Sequence, residues 1–239
     1  MTEALFRGDA YMADAPANVV GHTAEGGVVL DCSIFYPTGG GQPGDSGHIT
    51  WQGGDLEIAT TVNGGDGAIV LVPAAPQALP PPGIAVQQRL DWPRRHRLMR
   101  MHTALHLLSV VIPLPVSGGA VGDGRSRLDF DMPEAPDDPG ALEALLLRMV
   151  DDDLPVSETW ITDVELAANP GLVKTMSVAP PRGAGQIRLV QIGEGAGMVD
   201  LQPCGGTHVA RTGEIGRLRL GKIEKKGRLN RRVYLHLVF

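Results

Sequence analysis

The chain changes character at Asp91-Trp92-Pro93. Before that point no stretch carries a helical period. Short runs of strand-forming residues, Val28–Leu30, Leu56–Val62, Ala68–Val72 and Ile84–Leu90, alternate with glycine-rich turns. Asn63-Gly64-Gly65-Asp66-Gly67 is a hairpin signal. The stretch PAAPQALPPPG at 73–83 reads as an extended loop. Residues 1–90 therefore predict a small β-barrel, with a sandwich as the other all-β solution. After the boundary, Pro93 suits the first turn of a helix. The helix runs through RRHRLMRMHTALHLLSVVI, with Leu98, Met101, Leu105 and Leu108 on one apolar stripe, and Pro113 ends it. A second helix is expected over 138–153, opened by Asp137-Asp138-Pro139 and carrying Leu142, Leu145, Leu146 and Met149. Strands follow at Ile187–Ile192, Gly206–Val209, Leu218–Ile223 and Val233–Val238. Residues 91–239 thus predict an α+β domain with helices packed on an antiparallel sheet.

The 239 residues suffice for a sizeable core. The first twenty residues lack the apolar stretch of a signal peptide. No run approaches a membrane span; LHLLSVVIPLPV is short, holds His106 and is cut by Pro113 and Pro115. Two cysteines cannot build a disulfide framework. The expectation is a soluble cytoplasmic protein without a membrane partner. A net charge of −6 argues, taken whole, against a nucleic-acid partner. Its distribution reverses that. Segment 211–232 holds nine basic residues against Glu214 and Glu224, a local +7, so the other 217 residues sum to −13. A second cluster comprises Arg89, Arg94, Arg95, Arg97 and Arg100. Two basic clusters beside the acidic block at 129–153 fit a surface that tracks phosphates.

His102 and His106 stand four apart on the long helix, so both imidazoles share one face. Seven histidines give roughly 0.2 such pairs by chance, so the pair alone is weak evidence. Thr103 after the first histidine excludes the zinc-protease pattern, which needs glutamate there. Cys204 and His208, in Gln-Pro-Cys-Gly-Gly-Thr-His, supply two further ligands, with Gly205 and Gly206 allowing a tight turn. Together the four make a His3Cys set suited to one tetrahedral zinc. Cys32 has no such company and reads as a buried bystander. In the first half, Phe35-Tyr36-Pro37-Thr38-Gly39-Gly40-Gly41-Gln42-Pro43-Gly44-Asp45-Ser46-Gly47 is either a hairpin corner or a loop whose amides line a pocket. No Gly-Lys-Ser/Thr follows, which excludes a phosphate loop.

The stretches FYPTGGGQPGDSG, DWPRRHRLMRMHTALHLLS, LQPCGGTHVARTGEIG and KIEKKGRLNRRVY resemble the free-standing alanyl-tRNA editing proteins. These are similar to the editing domain of alanyl-tRNA synthetase. The resemblance runs along nearly the whole chain and suggests the medium-length form. It implies a deacylase that cleaves the ester between a wrong amino acid, serine or glycine, and alanine tRNA. It implies one zinc on His102, His106, Cys204 and His208, in a site between the two parts with the glycine-rich loop facing the metal. Thr38 is then expected to bond the serine hydroxyl, and Gln42 to orient the ester or a water. Gly39, Gly40, Gly41, Gly205 and Gly206 would donate to the developing oxyanion. Arg217, Arg219, Lys222, Lys225, Lys226, Arg228, Arg231 and Arg232 are candidates for gripping the acceptor stem. Strand alternation places about half of these on one face. No dedicated protein partner is expected, and the chain reads as a monomer or weak dimer. The rival readings are a zinc-stabilised tRNA-binding module without catalysis and a deacylase of another mischarged tRNA.

Overall fold

Alternating burial along short strands builds the first half of the molecule. The computed structural model describes residues 1–174 and 186–238 and divides into two compact units, Met1–Arg97 and Leu98–Phe239.

In the first unit the strands are β1 (Glu3–Ala4), β2 (Asp14–His22), β3 (Val28–Leu30), β4 (Cys32–Ser33), β5 (Gly47–Trp51), β6 (Gly54–Asn63), β7 (Ile69–Pro73) and β8 (Ala85–Leu90). Six of them close a barrel in the order β2-β3-β7-β6-β5-β8, and β8 pairs back onto β2. Every pairing in it is antiparallel, and closure removes the free edges that open sheets must protect. β2 turns Ala15, Ala17 and Val19 inward, and β8 turns Val86, Gln88 and Leu90. They pack with Leu30, Phe35, Ile49, Leu56, Ile58 and Leu71. The Gln88 amide inside is satisfied: it accepts from the Ile34 N–H and donates to the Cys32 carbonyl. The hairpin at 63–67 forms, with Asp66 in the left-handed region at φ 53°.

Helix α1 (Trp92–Val111) begins where the proline predicted, and the division between the units falls within it, at Arg97/Leu98. The single apolar stripe is corrected here. From Leu98 to Ser109 all residues but Arg100 are buried, on every face of the helix. A helix apolar nearly all round is an interior element; its polar members, His102, Thr103, His106 and Ser109, are buried among the rest.

The second unit continues with β9 (Val116–Ala120), β10 (Arg125–Asp131), α2 (Pro139–Asp151), β11 (Val156–Ile161), α3 (Asp163–Ala168), β12 (Ile187–Ile192), β13 (Asp200–Pro203), β14 (Leu218–Lys225) and β15 (Asn230–Leu237). Two antiparallel sheets result, ordered β14-β15-β10-β9 and β11-β12-β13. Asp138 caps α2 by accepting from the Ala141 N–H, with Pro139 inside the first turn. α2 lies against β14. α3 opens with a capping box, Thr162 paired with Glu165, which Thr-Asp-Val-Glu announces in the sequence. The expected strand Gly206–Val209 does not form. The chain there leaves the edge of a sheet at Pro203 and turns, because its side chains face a buried cluster rather than a neighbouring strand.

Both basic clusters of the sequence reading change. Arg95 is 1% exposed and forks onto Asp45, with further bonds to the carbonyls of Ala10 and Ile34. Arg94 donates to the Gly44 carbonyl, and Arg100 donates twice to that of Ile215. These arginines hold backbone in place and do not form a phosphate track. In the tail, Arg231 is buried, donating to the carbonyls of Pro133, Gly227 and Asn230. Arg232 makes a two-pronged bond to Asp129 at 2.7 and 2.9 Å. Arg217, Arg219, Lys222, Lys225, Lys226 and Arg228 are exposed.

Candidate metal centre

Helix α1 presents His102 and His106 one turn apart, with ring centroids 5.5 Å from each other. The chain leaving β13 brings Cys204 and His208 against them. His208 lies 4.4 Å from His102 and 4.6 Å from His106, centroid to centroid. One potential ligand atom from each of the four residues falls within 4.8 Å of all the others. Cys204 Sγ is 3.5 Å from His102 Nε2 and 3.3 Å from His208 Nε2. Zinc bonds of about 2.3 Å to sulfur and about 2.0 Å to nitrogen would set tetrahedral edges of about 3.3–3.6 Å. The donor set and these two distances suit a tetrahedral ion, and the four residues could hold one.

Neighbouring groups aim the ligands. The Thr103 hydroxyl donates to the Met99 carbonyl, so its oxygen accepts from His208 Nδ1–H at 3.1 Å. That leaves the Nε2 lone pair of His208 facing the cluster. His106 donates through Nδ1 to Asp200 at 2.9 Å, which directs its Nε2 inward in the same way. Asp200 and Gln202 lie on one buried face of β13 by strand alternation. The Gln202 amide and Lys174 also bond the Asp200 carboxylate. Arg188 braces the turn from behind: it donates to the Cys204 carbonyl at 2.7 Å and the Gly206 carbonyl at 2.9 Å, and pairs with Glu158. The Gly206 N–H points at the Cys204 sulfur, 3.5 Å away.

The electrostatics suit a cation. Burial disfavours the Cys204 thiolate, but the His102 and His208 rings outweigh it and hold the thiol well below its usual range. Burial and the neighbouring His102 push His208 down to about 3, which keeps it a neutral ligand. Burial also opposes charge on His106, yet the bonds to Asp200 and Cys204 raise it to about 9. Burial disfavours the Asp200 carboxylate, but His106 and Lys174 bring it down to about 2. A proton on His106 and a bound cation are therefore alternatives, and binding releases the proton.

Thr103, Asp200, Gln202, Lys174 and Arg188 escaped the sequence reading. Only Asp-Leu-Gln-Pro carried a usable signal, since alternation just before Cys204 puts Asp200 and Gln202 on the side of the ligands. Gly205 also differs from expectation. It has no positive φ, and a Cβ built on it meets nothing within 4 Å, so the fold itself does not demand a glycine there.

The glycine-rich loop belongs to the first unit. Gly39 and Gln42 bond each other through both backbone groups, at 3.0 and 2.9 Å, around Gly40 (φ 56°) and Gly41 (φ 81°). This is a two-residue turn that needs positive φ at both central positions. The Thr38 hydroxyl donates to the Thr61 carbonyl and accepts from the Gly44 N–H. Gln42 is buried, at 1% exposure. A Cβ at Gly44 would lie 2.0 Å from the Thr61 carbonyl oxygen. Cys32 is half-buried in β4, with its thiol pushed up by burial.

Two parts of the chain are similar to domains of tRNA synthetases. Residues 10–94 match the family described as tRNA synthetases class II (A). Residues 187–234 match the threonyl and alanyl tRNA synthetase second additional domain. The chain is 32% identical over 248 residues to the alanyl-tRNA editing protein AlaX-M of Methanosarcina acetivorans, covering all of both chains, and 33% identical over 247 residues to that of Methanosarcina barkeri, again over both full lengths. It belongs to the alanyl-tRNA editing protein family. It is also 36% identical over 232 residues to the alanine–tRNA ligase of Pyrobaculum neutrophilum, of which it spans about a quarter of the length. No helix among the described residues is long and apolar enough to cross a membrane.

Proposed function

We propose that the chain is a zinc-dependent trans-editing deacylase. It hydrolyses the ester of alanine tRNA mischarged with serine or glycine, releasing the amino acid and free tRNA. The observation that carries this reading is the His3Cys cluster, whose ligand atoms lie within 4.8 Å of one another, in a chain similar over its full length to alanyl-tRNA editing proteins. Such an enzyme answers a physical limit. A small apolar synthetase pocket rejects an added hydroxyl or a missing methyl by only about 1–3 kcal/mol, so a second site must read the difference.

Bound zinc supplies positive charge that anchors and polarises the amino-acid end of the substrate. The protein's own groups do the rest. Asp200 and Thr103 keep His106 and His208 turned inward. The Thr38 hydroxyl has its proton on Thr61 and one lone pair on the Gly44 N–H. Its remaining lone pair accepts from the serine hydroxyl, a bond glycine lacks. Gln42 orients the ester or the attacking water. Gly40 and Gly41, whose amides lie outside the turn's own pairing, and the Gly205 N–H stabilise the oxyanion, while the Gly206 N–H is taken by the Cys204 sulfur. Gly39 shapes the turn. The exposed Arg217, Arg219, Lys222, Lys225, Lys226 and Arg228 contact the acceptor stem. The domain match at 187–234 is common to threonyl and alanyl enzymes, which favours as second reading a deacylase of another mischarged tRNA. Full-length similarity to the alanyl editing proteins weighs for alanine.

The test is hydrolysis of serine-charged alanine tRNA by wild type and Cys204→Ala, with zinc measured in both. Wild type is expected to bind one zinc and release serine, and the variant to lose both. A zinc-loaded wild type that leaves the ester intact would overturn the reading.

A further inference from the structure

The sheet β14-β15-β10-β9 has a buried side and an outward side, set by strand alternation. On β10 the buried residues are Ser126, Leu128 and Phe130; on β15 they are Val233, Leu235 and Leu237. The opposite positions carry Arg125, Arg127, Asp129 and Asp131 on β10, and Arg232, Tyr234 and His236 on β15. Of these, Arg125 stands directly across from His236, Arg127 from Tyr234 and Asp129 from Arg232. β14 adds Arg219 beside His236. The strands thus gather four arginines into adjacent rows. Two of them, Arg125 and Arg127, come from outside both basic clusters of the sequence.

The arrangement is ordered rather than a loose scatter of surface charge. Arg127 and Arg232 both bond Asp129, at 2.6 and 2.7 Å, which fixes the two guanidinium planes and leaves one positive charge between three groups. Arg125 lies over the Tyr234 ring, 5.2 Å from its centroid. Between them runs an open cleft of about 270 Å³, lined by Ala120, Val121, Arg125, Ser126, Arg127, Arg232 and Tyr234. Burial, then the charges of Arg219 and Arg125, lowers the His236 pKa, which reports the positive field on this side. Asp129, Asp131 and Glu224, which stands across from Arg232, oppose the four arginines, but Glu224 is itself paired with Lys222 and Lys226, so the rows keep a net positive charge in a chain whose total is −6.

We propose that this outward sheet face is a phosphate platform that grips the RNA helix of the tRNA, with Arg125 and Arg127 as positioning contacts that complete the basic tail. The proposal rests on the editing reading above. Guanidinium forks match phosphate oxygens in two-pronged geometry, and arginines held by neighbours lose little entropy on binding. Alternate residues on a strand lie about 7 Å apart, a step comparable with that between successive backbone phosphates. A shallow, open, arginine-lined cleft suits a polyanion running across it better than an enclosed small molecule.

The test is binding of uncharged alanine tRNA by the full chain across a salt series, for wild type, Arg125→Glu and Arg7→Glu. Arg7 is exposed in the first unit and controls for the change in net charge. Arg125→Glu is expected to weaken binding by about tenfold and to lower the salt slope by about one. Arg7→Glu is expected to change either by less than about twofold. Zinc content equal to wild type reports that Arg125→Glu remains folded, and Arg125→Lys is expected to restore most of the affinity. Wild-type affinity and slope in Arg125→Glu would overturn the platform and leave the deacylase reading standing. Equal losses in Arg7→Glu would also overturn it, as a field effect of net charge. Arg125-dependent tRNA binding without ester hydrolysis by wild type would support the platform and overturn the editing reading instead.

Discussion

The two glycine-bearing motifs look alike in sequence and behave in opposite ways. In the loop Thr38–Gly47 the polar groups are taken up, within the loop or by Tyr36, Thr61 and Arg95 of the same unit. Gly39 and Gln42 close a turn, and Thr38 bridges Thr61 and Gly44. Asp45 accepts from the Tyr36 N–H and takes the buried Arg95. In the turn Cys204–His208 the bonds come from outside. Arg188 holds its carbonyls and Thr103 holds the His208 ring, while Asp200 aims the opposing His106. The ligand atoms are left facing each other. A loop whose polar groups are engaged in this way holds a shape; a turn braced from behind keeps its reactive atoms for something else. The glycines follow suit, since Gly44 is pressed against backbone and Gly205 borders open space.

The largest expected break is in the loop. Asp45→Asn removes the counter-ion of an arginine that is 1% exposed. It should cost about 3–5 kcal/mol of stability by denaturant unfolding. A loss below about 1 kcal/mol would mean that the loop does not depend on that pair. Next is the brace. Asp200→Asn keeps the shape but weakens the hold on His106, and metal affinity should fall about 10–100-fold by chelator competition. An unchanged affinity would assign the aiming of His106 to Gln202 or to packing alone. The smallest structural effect is the sharpest functional probe. Gly205→Ala should leave stability within about 0.5 kcal/mol, because its new methyl meets no protein atom within 4 Å. Ester hydrolysis should nonetheless fall if substrate passes over that backbone. Full activity would move the substrate path away from Gly205.

Much of the fold was legible because it is local. Period-two runs, the Asn63–Gly67 turn and the cap at Asp138-Pro139 announce themselves within a few residues. The strand expected at Gly206–Val209 failed because a short mixed run reads alike whether its side chains meet a sheet or a buried cluster of histidines. The tail arginines separate for a similar reason. Arg231 and Arg232 adjoin in sequence, but alternation sends one to the buried side and the other to the outward face beside Asp129.

From sequence alone, the residue types and spacings determined the barrel-then-α+β order, the start of the long helix at Trp92-Pro93 and the four residues that could hold a metal. Those depend on backbone preference and on chemistry that few side chains possess. Only the tertiary structure decided which charges stay in solvent, which polar groups stand behind each imidazole, and that Arg125 and Arg127 join the rows formed by the tail. Such facts depend on strand pairing between segments about a hundred residues apart, and nothing in the neighbouring residues encodes that register.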